Sequence, residues 1–372
     1  MPNLNSRKFA VLGILWPSKK FAEEDLIPSG AAGINSPVTV GFIQKQLDDL
    51  KGVFDKPDAD ATIEKAKQLV PQLESSKNAQ REFANLVRSL PEKRENQSED
   101  ASDRFFTLDG ADVMNRLSKP MFALSPHVRP VSGAFSIRSP IGGARGQSGV
   151  AAGLGNQFSG LNSAARNLIN YTTYYQMKER AGIVGRDGVN LLIRKLNTQI
   201  NGLRFHLIGH SFGARLVTSA VLGPNNQQPL EINSATLLQA AFSHNSFASK
   251  FDGRHDGFFR KVISEKRIIG PIVITCTQND KAVGLAYPLA SLISGQNASG
   301  IGDKNDPFGA IGRNGAQKTP EASDEKLLHI GGSYQFKPSK LHNLNSDEII
   351  KSHSDICHDE IAYAILNAVA TT

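Results

Sequence analysis

The sequence holds only two cysteines, Cys276 and Cys357, far apart and in no metal-ligand spacing. A disulfide framework is thereby excluded as the organising device, and a reducing, cytoplasmic setting fits. No metal site and no cofactor are expected. Long apolar runs are also missing. Phe9 to Trp16, the longest near the start, is too short to span a bilayer, so no integral membrane segment is expected. Arg7 and Lys8 precede this run, but Pro17, Ser18, Lys19 and Lys20 stand where a signal peptide would carry small residues for cleavage, so it is not read as one. Nor is there a run of five basic residues. The 42 Lys and Arg outnumber the 35 Asp and Glu, for a net charge of +7, yet they are scattered and not interleaved with aromatics. That is the pattern of a solvated surface and not of a nucleic-acid binder.

What is present is a globular composition, 40% hydrophobic and 21% charged over 372 residues, enough to bury a full core in one large domain or two. Phe9–Trp16, stopped by Pro17, is continuously apolar and predicts a first core strand, within residues 1–18, covered on both faces. Residues 19–161 read as a helical insertion. Ser36 and Pro37 suit an N-cap and first helical position ahead of Phe42, Ile43, Leu47 and Leu50, with Gly52 ending the helix. Further helices are expected around Ile63, Ala66, Leu69 and Val70, and around Phe83, Leu86, Val87 and Leu90. Pro91 to Asp103 is charged and reads as a loop. Glycine recurs from Gly133 to Gly160, so 130–160 is expected to be a mobile segment, either a solvated loop or part of a lid.

From Asn162 the pattern becomes regular. A helix runs through Ala165, Leu168, Ile169, Tyr171 and Tyr175 to Gly182, and another through Val189, Leu191, Leu192 and Leu196. Apolar strands at Phe205–Ile208, Ala235–Ala241 and Ile272–Cys276 then alternate with helices near 214–222, 258–265 and 359–370. Such alternation predicts an α/β class with a mostly parallel central sheet flanked by helices, its core in residues 162–372.

The first of these strands leads into Gly209-His210-Ser211-Phe212-Gly213, a Gly-x-Ser-x-Gly pattern followed by a helix-forming stretch from Ala214 to Leu222. A strand-to-helix turn this tight calls for glycine at 209 and 213 and lifts a serine hydroxyl clear of the sheet. Serine is a weak nucleophile without a base, and the base needs an orienting acid. Asp280 follows the strand Pro271–Thr277 at its C-terminal end. Asp303 and Asp306 are rivals in a glycine-rich loop with no strand ahead of them. Among later histidines, His329 falls in or beside a strand, His342 in a loop, and His358 in the first turn of the last helix. His353, in Ser352-His353-Ser354-Asp355-Ile356, stands just before that helix. The expected catalytic set is Ser211, Asp280 and His353.

At these residues the chain resembles the α/β-hydrolase superfamily, its elbow being similar to that of lipases and esterases. The strand ending Trp16-Pro17-Ser18, and the helix carrying Tyr171 and Tyr175, are similar to a poorly characterised bacterial group of serine hydrolases. The likeness covers 8–18 and roughly 162–370. It implies an ester hydrolase acting on a small-molecule or lipid-like substrate; amide or thioester cleavage would use the same residues, and a non-catalytic binding module of the same fold is the contrasting reading. Family members usually carry a His-Gly turn whose backbone helps form the oxyanion hole, and this chain has none. In the similar group the Trp-Pro-Ser strand follows that turn, so the group's opening strand and helix lack a counterpart here. The resemblance therefore implies oxyanion donors at Phe212 and, beside Pro17, at Trp16. From its position, leaving the end of the first strand and returning just before the helix that leads to the elbow, the segment 19–161 is expected to cap the nucleophile, the alternative being helices packed on the outer flank; strand 9–16 is expected to pair directly with strand 205–208 or to stand one empty slot away from it.

Overall fold

The computed structural model describes residues 4, 7–18, 38–91, 102–118, 160–283, 293 and 304–372. Its centre is a five-stranded, wholly parallel sheet. The strands are β1 (His206–His210), β2 (Ser234–Leu238), β3 (Ile272–Cys276), β4 (Ala322–Lys326) and β5 (Leu341–Asn345), laid side by side in the order β1-β2-β3-β5-β4. β2 and β3 are buried along their whole length, as strands covered on both faces are, with Ser234, Thr236 and Thr275 buried among their apolar residues. Alternation along β3 shows the two faces: Ile272 and Ile274 join one core cluster, and Val273 joins another with Leu238 and Leu344.

Helices cover both faces. On one side lie α6 (Leu161–Ile183), continued by a π-helical turn at Val184–Val189 and by α7 (Asn190–Gln199), together with α8 (Phe212–Leu222). The π-helical turn and α8 approach so closely that a Cβ at Gly185 would stand 2.0 Å from the Leu216 carbonyl oxygen, so only glycine fits there. On the other side α11 (Asp359–Ala370) places Ile361, Ala364 and Ala368 against Leu238 and Val273. Two short helices, α9 (Arg260–Ser264) and α10 (Ile311–Asn314), fill the connections.

A second core belongs to α1 (Val40–Asp48), α2 (Ala59–Leu69), α3 (Lys77–Ser89), α4 (Ser102–Thr107) and α5 (Gly110–Leu117). Their apolar faces, among them Ile43, Ile63, Phe83, Phe105 and Met114, meet Ala164, Leu168 and Tyr171 on the first half of α6. The helical reading of this region holds in its apolar faces and differs in detail. The N-cap of α1 is Thr39, whose side chain accepts the Phe42 N–H, and Phe42 itself is exposed. Ser36 and Pro37 lie outside the described residues, as does the glycine-rich stretch up to 159; Ser102 and Asp103, read as loop, begin α4. Among the described residues no helix is long and apolar enough to cross a membrane.

The strand expected at 9–16 is corrected. Residues 7–18 form no strand and do not pair with β1. Val11 and Leu15 are 98% and 100% exposed, and only Ile14 and Trp16 pack partly against the core. Arg7 fastens one end to the Val369 and Thr372 carbonyls, and Arg180 holds the other through the Pro17 carbonyl. An apolar run signals attraction to other apolar surface, not a backbone partner. His342 is a second correction: it lies inside β5, not in a loop.

Candidate active site

All five strands point the same way, so the ends of β1, β3 and β5 share one edge of the sheet. His210 is in register with Leu238, Leu238 with Thr275, and Cys276 with Asn345. Chain segments leaving those ends meet above the edge.

Ser211 is the single residue between β1 and α8. Its φ of 55° and ψ of −124° are rare for a side chain other than glycine, and store strain at the turn. Neighbouring backbone overdetermines that conformation. The Ser211 N–H donates to the Leu238 carbonyl (3.0 Å), and the Ser211 carbonyl accepts from Ala214 (3.1 Å) and Ala241 (3.2 Å). A Cβ at Gly209 would stand 2.4 Å from the Gly213 carbonyl oxygen, so glycine is obligatory at 209. At 213 the expectation is corrected: a Cβ there meets nothing within 4 Å, because the position opens away from the turn.

Asp280 follows β3 by four residues and is fully buried. Its N–H donates to the Thr277 carbonyl, its Oδ1 accepts the Val283 N–H, and Arg313 Nη1 reaches both the Gln278 and Asp280 carbonyls. Asp347, just beyond β5, accepts from Thr277 Oγ1 (2.8 Å) and the Gln278 N–H (2.7 Å). Asn279 Nδ2 donates in return to the Asp347 and Ile350 carbonyls. The loop after β3 and the loop after β5 are thus stitched together.

That second loop carries His353. Its Nδ1 lies 2.8 Å from Asp280 Oδ2 and its Nε2 lies 2.8 Å from Ser211 Oγ. An ionised carboxylate only accepts, so Nδ1 bears the proton and Nε2 is left to accept from the serine hydroxyl. Ser211, Asp280 and His353 are therefore brought together in one hydrogen-bonded series: a hydroxyl, an imidazole able to take its proton, and a buried carboxylate fixing the tautomer. The rivals are placed elsewhere. Asp306 accepts the Phe308 N–H, and Asp303 is outside the described residues. Exposed His329 lies beside Glu360, His342 beside Glu325, and His358 beside Asp355.

His210 is a site residue that sequence reasoning passed over. Its Nε2 lies 2.8 Å from the His353 carbonyl oxygen, and the two rings sit 4.8 Å apart. Burial, reinforced by the nearby His353, lowers its pKa below the ordinary histidine value. Its place beside the serine was visible in the sequence; its partner across 143 residues was not.

Phe212 begins α8, where N–H groups have no intrahelical acceptor, so its N–H is a donor next to the serine. Tyr174 on α6 packs on the Phe212 ring (5.1 Å) and donates its hydroxyl to the Ala241 carbonyl. Phe105 and Phe106 of α4 touch Tyr171 and Tyr175, and Tyr171 stacks on Tyr174, so aromatic contacts run from the helical layer to the elbow. Trp16 packs against the core cluster that includes Phe212 and gives its carbonyl to the Ser18 N–H (2.7 Å); among the described residues no hydrogen bond joins it to the elbow. Burial pushes the Cys276 thiol up to about 12, so it stays protonated. Among the described residues no group of three or more His, Cys, Asp or Glu is placed to hold a metal ion.

No family model matches the chain, and comparison with curated proteins and with solved structures finds no match either.

Proposed function

We propose that the chain is a serine hydrolase of the α/β-hydrolase type that cleaves carboxylic esters. One observation carries the reading: His353 bridges Ser211 Oγ and Asp280 Oδ2 at 2.8 Å each, with the serine on a strained strand-to-helix turn. Strain persists only where the surrounding structure enforces it, and such residues cluster at active sites.

In this mechanism Ser211 Oγ attacks the ester carbonyl carbon as its proton passes to His353 Nε2. The carbonyl oxygen becomes an oxyanion beside the Phe212 N–H and the positive end of α8. Collapse breaks the bond to the alcohol oxygen, which leaves with the proton from His353. Water then gives a proton to His353 and attacks the acyl-serine; the acid departs and Ser211 recovers its hydrogen. Asp280 holds the imidazole in the one tautomer that serves both halves and stabilises the imidazolium between them. Amides and thioesters would pass through the same atoms.

The decisive test is labelling with a fluorophosphonate probe. Ser211 should be modified, and the signal should vanish in Ser211→Ala. Absence of labelling in a folded wild-type protein would refute a live nucleophile. A series of nitrophenyl esters of increasing chain length would then define the acyl group.

A further inference from the structure

Thr275 is fully buried near the end of β3, between Ile274 and Cys276. A hydroxyl taken out of water at that depth costs stability unless it is hydrogen-bonded. Two bonds join it to a single residue, Gln239, just beyond β2. Thr275 Oγ1 accepts the Gln239 N–H at 3.2 Å, and the Thr275 hydroxyl donates to Gln239 Oε1 at 3.3 Å. Gln239 is itself fully buried and has a left-handed φ of 40°, which a residue with a side chain keeps only where it is held. Gly312 of α10 closes on the same turn. A Cβ at 312 would stand 2.4 Å from the Gln239 carbonyl carbon, and the Gly312 N–H donates to the Ala240 carbonyl at 3.0 Å.

The turn at Gln239 brackets the nucleophile. The Ser211 N–H donates to the Leu238 carbonyl, and the Ser211 carbonyl accepts the Ala241 N–H. In an unbroken parallel ladder the two bonds of one residue go to partners two positions apart. Here the partners are 238 and 241, so Gln239 and Ala240 together stand opposite the serine, in the manner of a β-bulge. Bulges beside active sites re-aim a side chain by bending the backbone that carries or faces it. On the far side of the bracket the Tyr174 hydroxyl donates to the Ala241 carbonyl at 3.2 Å. The bracket is thus fastened at both ends, to β3 through Thr275 and to α6 through Tyr174.

We propose that Thr275 is a positioning residue for the nucleophile. Its hydroxyl locks the bulge at Gln239, and the bulge holds the Ser211 peptide in the strained φ that aims Oγ at His353. Thr275 acts through Gln239 and not on the reacting atoms. The catalytic consequence rests on the hydrolase reading; the lock rests on the hydrogen bonds alone.

Two variants separate the hydroxyl from its packing. Thr275→Val keeps the shape and removes both bonds, whereas Thr275→Ser keeps the hydroxyl. Amide hydrogen exchange of the full chain, followed by NMR, reads the bracket without any substrate. The Ser211 and Ala241 amides should exchange about tenfold faster in Thr275→Val and near the wild-type rate in Thr275→Ser, with the Val217 amide of α8 unchanged in both. Kinetics on a nitrophenyl ester, at a temperature where thermal unfolding shows every variant folded, reads the consequence. In Thr275→Val kcat should fall about tenfold with KM within about twofold, and Thr275→Ser should recover most of the loss. Unchanged exchange in Thr275→Val would overturn the lock. Faster exchange with a wild-type kcat, or equal losses in the valine and serine variants, would overturn the positioning role. A wild type that neither turns over esters nor takes the fluorophosphonate label refutes the hydrolase reading and the positioning role with it, while the exchange rates still decide the lock. Should Thr275→Val fail to fold, Gln239→Met, which removes the Oε1 acceptor, is read in the same way with effects of about threefold.

Discussion

His210 Nε2 lies 2.8 Å from the backbone carbonyl oxygen of His353. A carbonyl can only accept, so His210 donates, and the residue before the serine pins the loop that carries His353. Removing that donor frees the loop without touching the reacting atoms. His210→Ala should lower kcat about tenfold with KM changed little, and His210→Gln, whose amide can donate in the same direction, should recover part of the loss. Steady-state kinetics on a nitrophenyl ester reads the difference. Equal, near-wild-type kcat in both variants would remove His210 from any positioning role.

The strain at Ser211 is measurable as stability. Ser211→Gly, which adopts φ 55° without penalty, should stabilise the fold by about 1 kcal/mol while abolishing turnover, whereas Ser211→Ala should abolish turnover with no such gain. Thermal unfolding of the two variants side by side gives the comparison.

The two glycines of the elbow should behave in opposite ways. Gly209→Ala drives a methyl into the Gly213 backbone and is expected to cost more than about 3 kcal/mol or prevent folding. Gly213→Ala meets open space in the first turn of α8 and should be neutral or stabilising by up to about 1 kcal/mol. Denaturant midpoints distinguish them, and an equal loss from both would contradict the turn described here.

Both histidines of β1 have pKa values lowered by burial, His206 also by Arg7 and Arg204, and His210 by His353. A group whose folded pKa is depressed binds fewer protons in the folded state than in the unfolded chain. The associated stability is therefore present above the ordinary histidine value, roughly 6.5, and is lost as pH falls toward the lowered values. Stability should decline across that window, before the carboxylates titrate, and the slope should shrink in His206→Asn and His210→Gln. Urea unfolding at stepped pH values provides the check.

The parts of this architecture that were legible in the sequence are those whose physics is local. β1, β2 and β3 are short apolar runs ending at turn residues, and the elbow, Asp280 and His353 follow from their positions relative to strand ends and the last helix. β4 was signalled only by a strand expected at or beside His329, and β5 escaped notice, because polar residues fill them. Ala-Ser-Asp-Glu-Lys is a solvated edge strand. Within β5, His342 and Asn343 are buried but satisfied by Glu325, the Lys337 N–H, Asp324 and the Ala316 backbone. Hydrophobic periodicity carries no trace of such matching. The reverse error at 9–16 arose because apolarity was present without a neighbour to pair.

His353 meets Asp280 across 73 residues of chain and Ser211 across 142. No fragment of the polypeptide can hold the three together, since each arrives on a separate strand of a sheet built entirely from crossovers. Closing loops of that length is the slow part of folding such topologies, while the helices packed on one another between 40 and 117 rest on much nearer contacts. The hydrogen-bonded series therefore comes into being only when β1, β3 and β5 are all docked. A chain caught partway, with helices formed and its sheet still open, would have recovered its helical signal while Ser211, His353 and Asp280 were still apart.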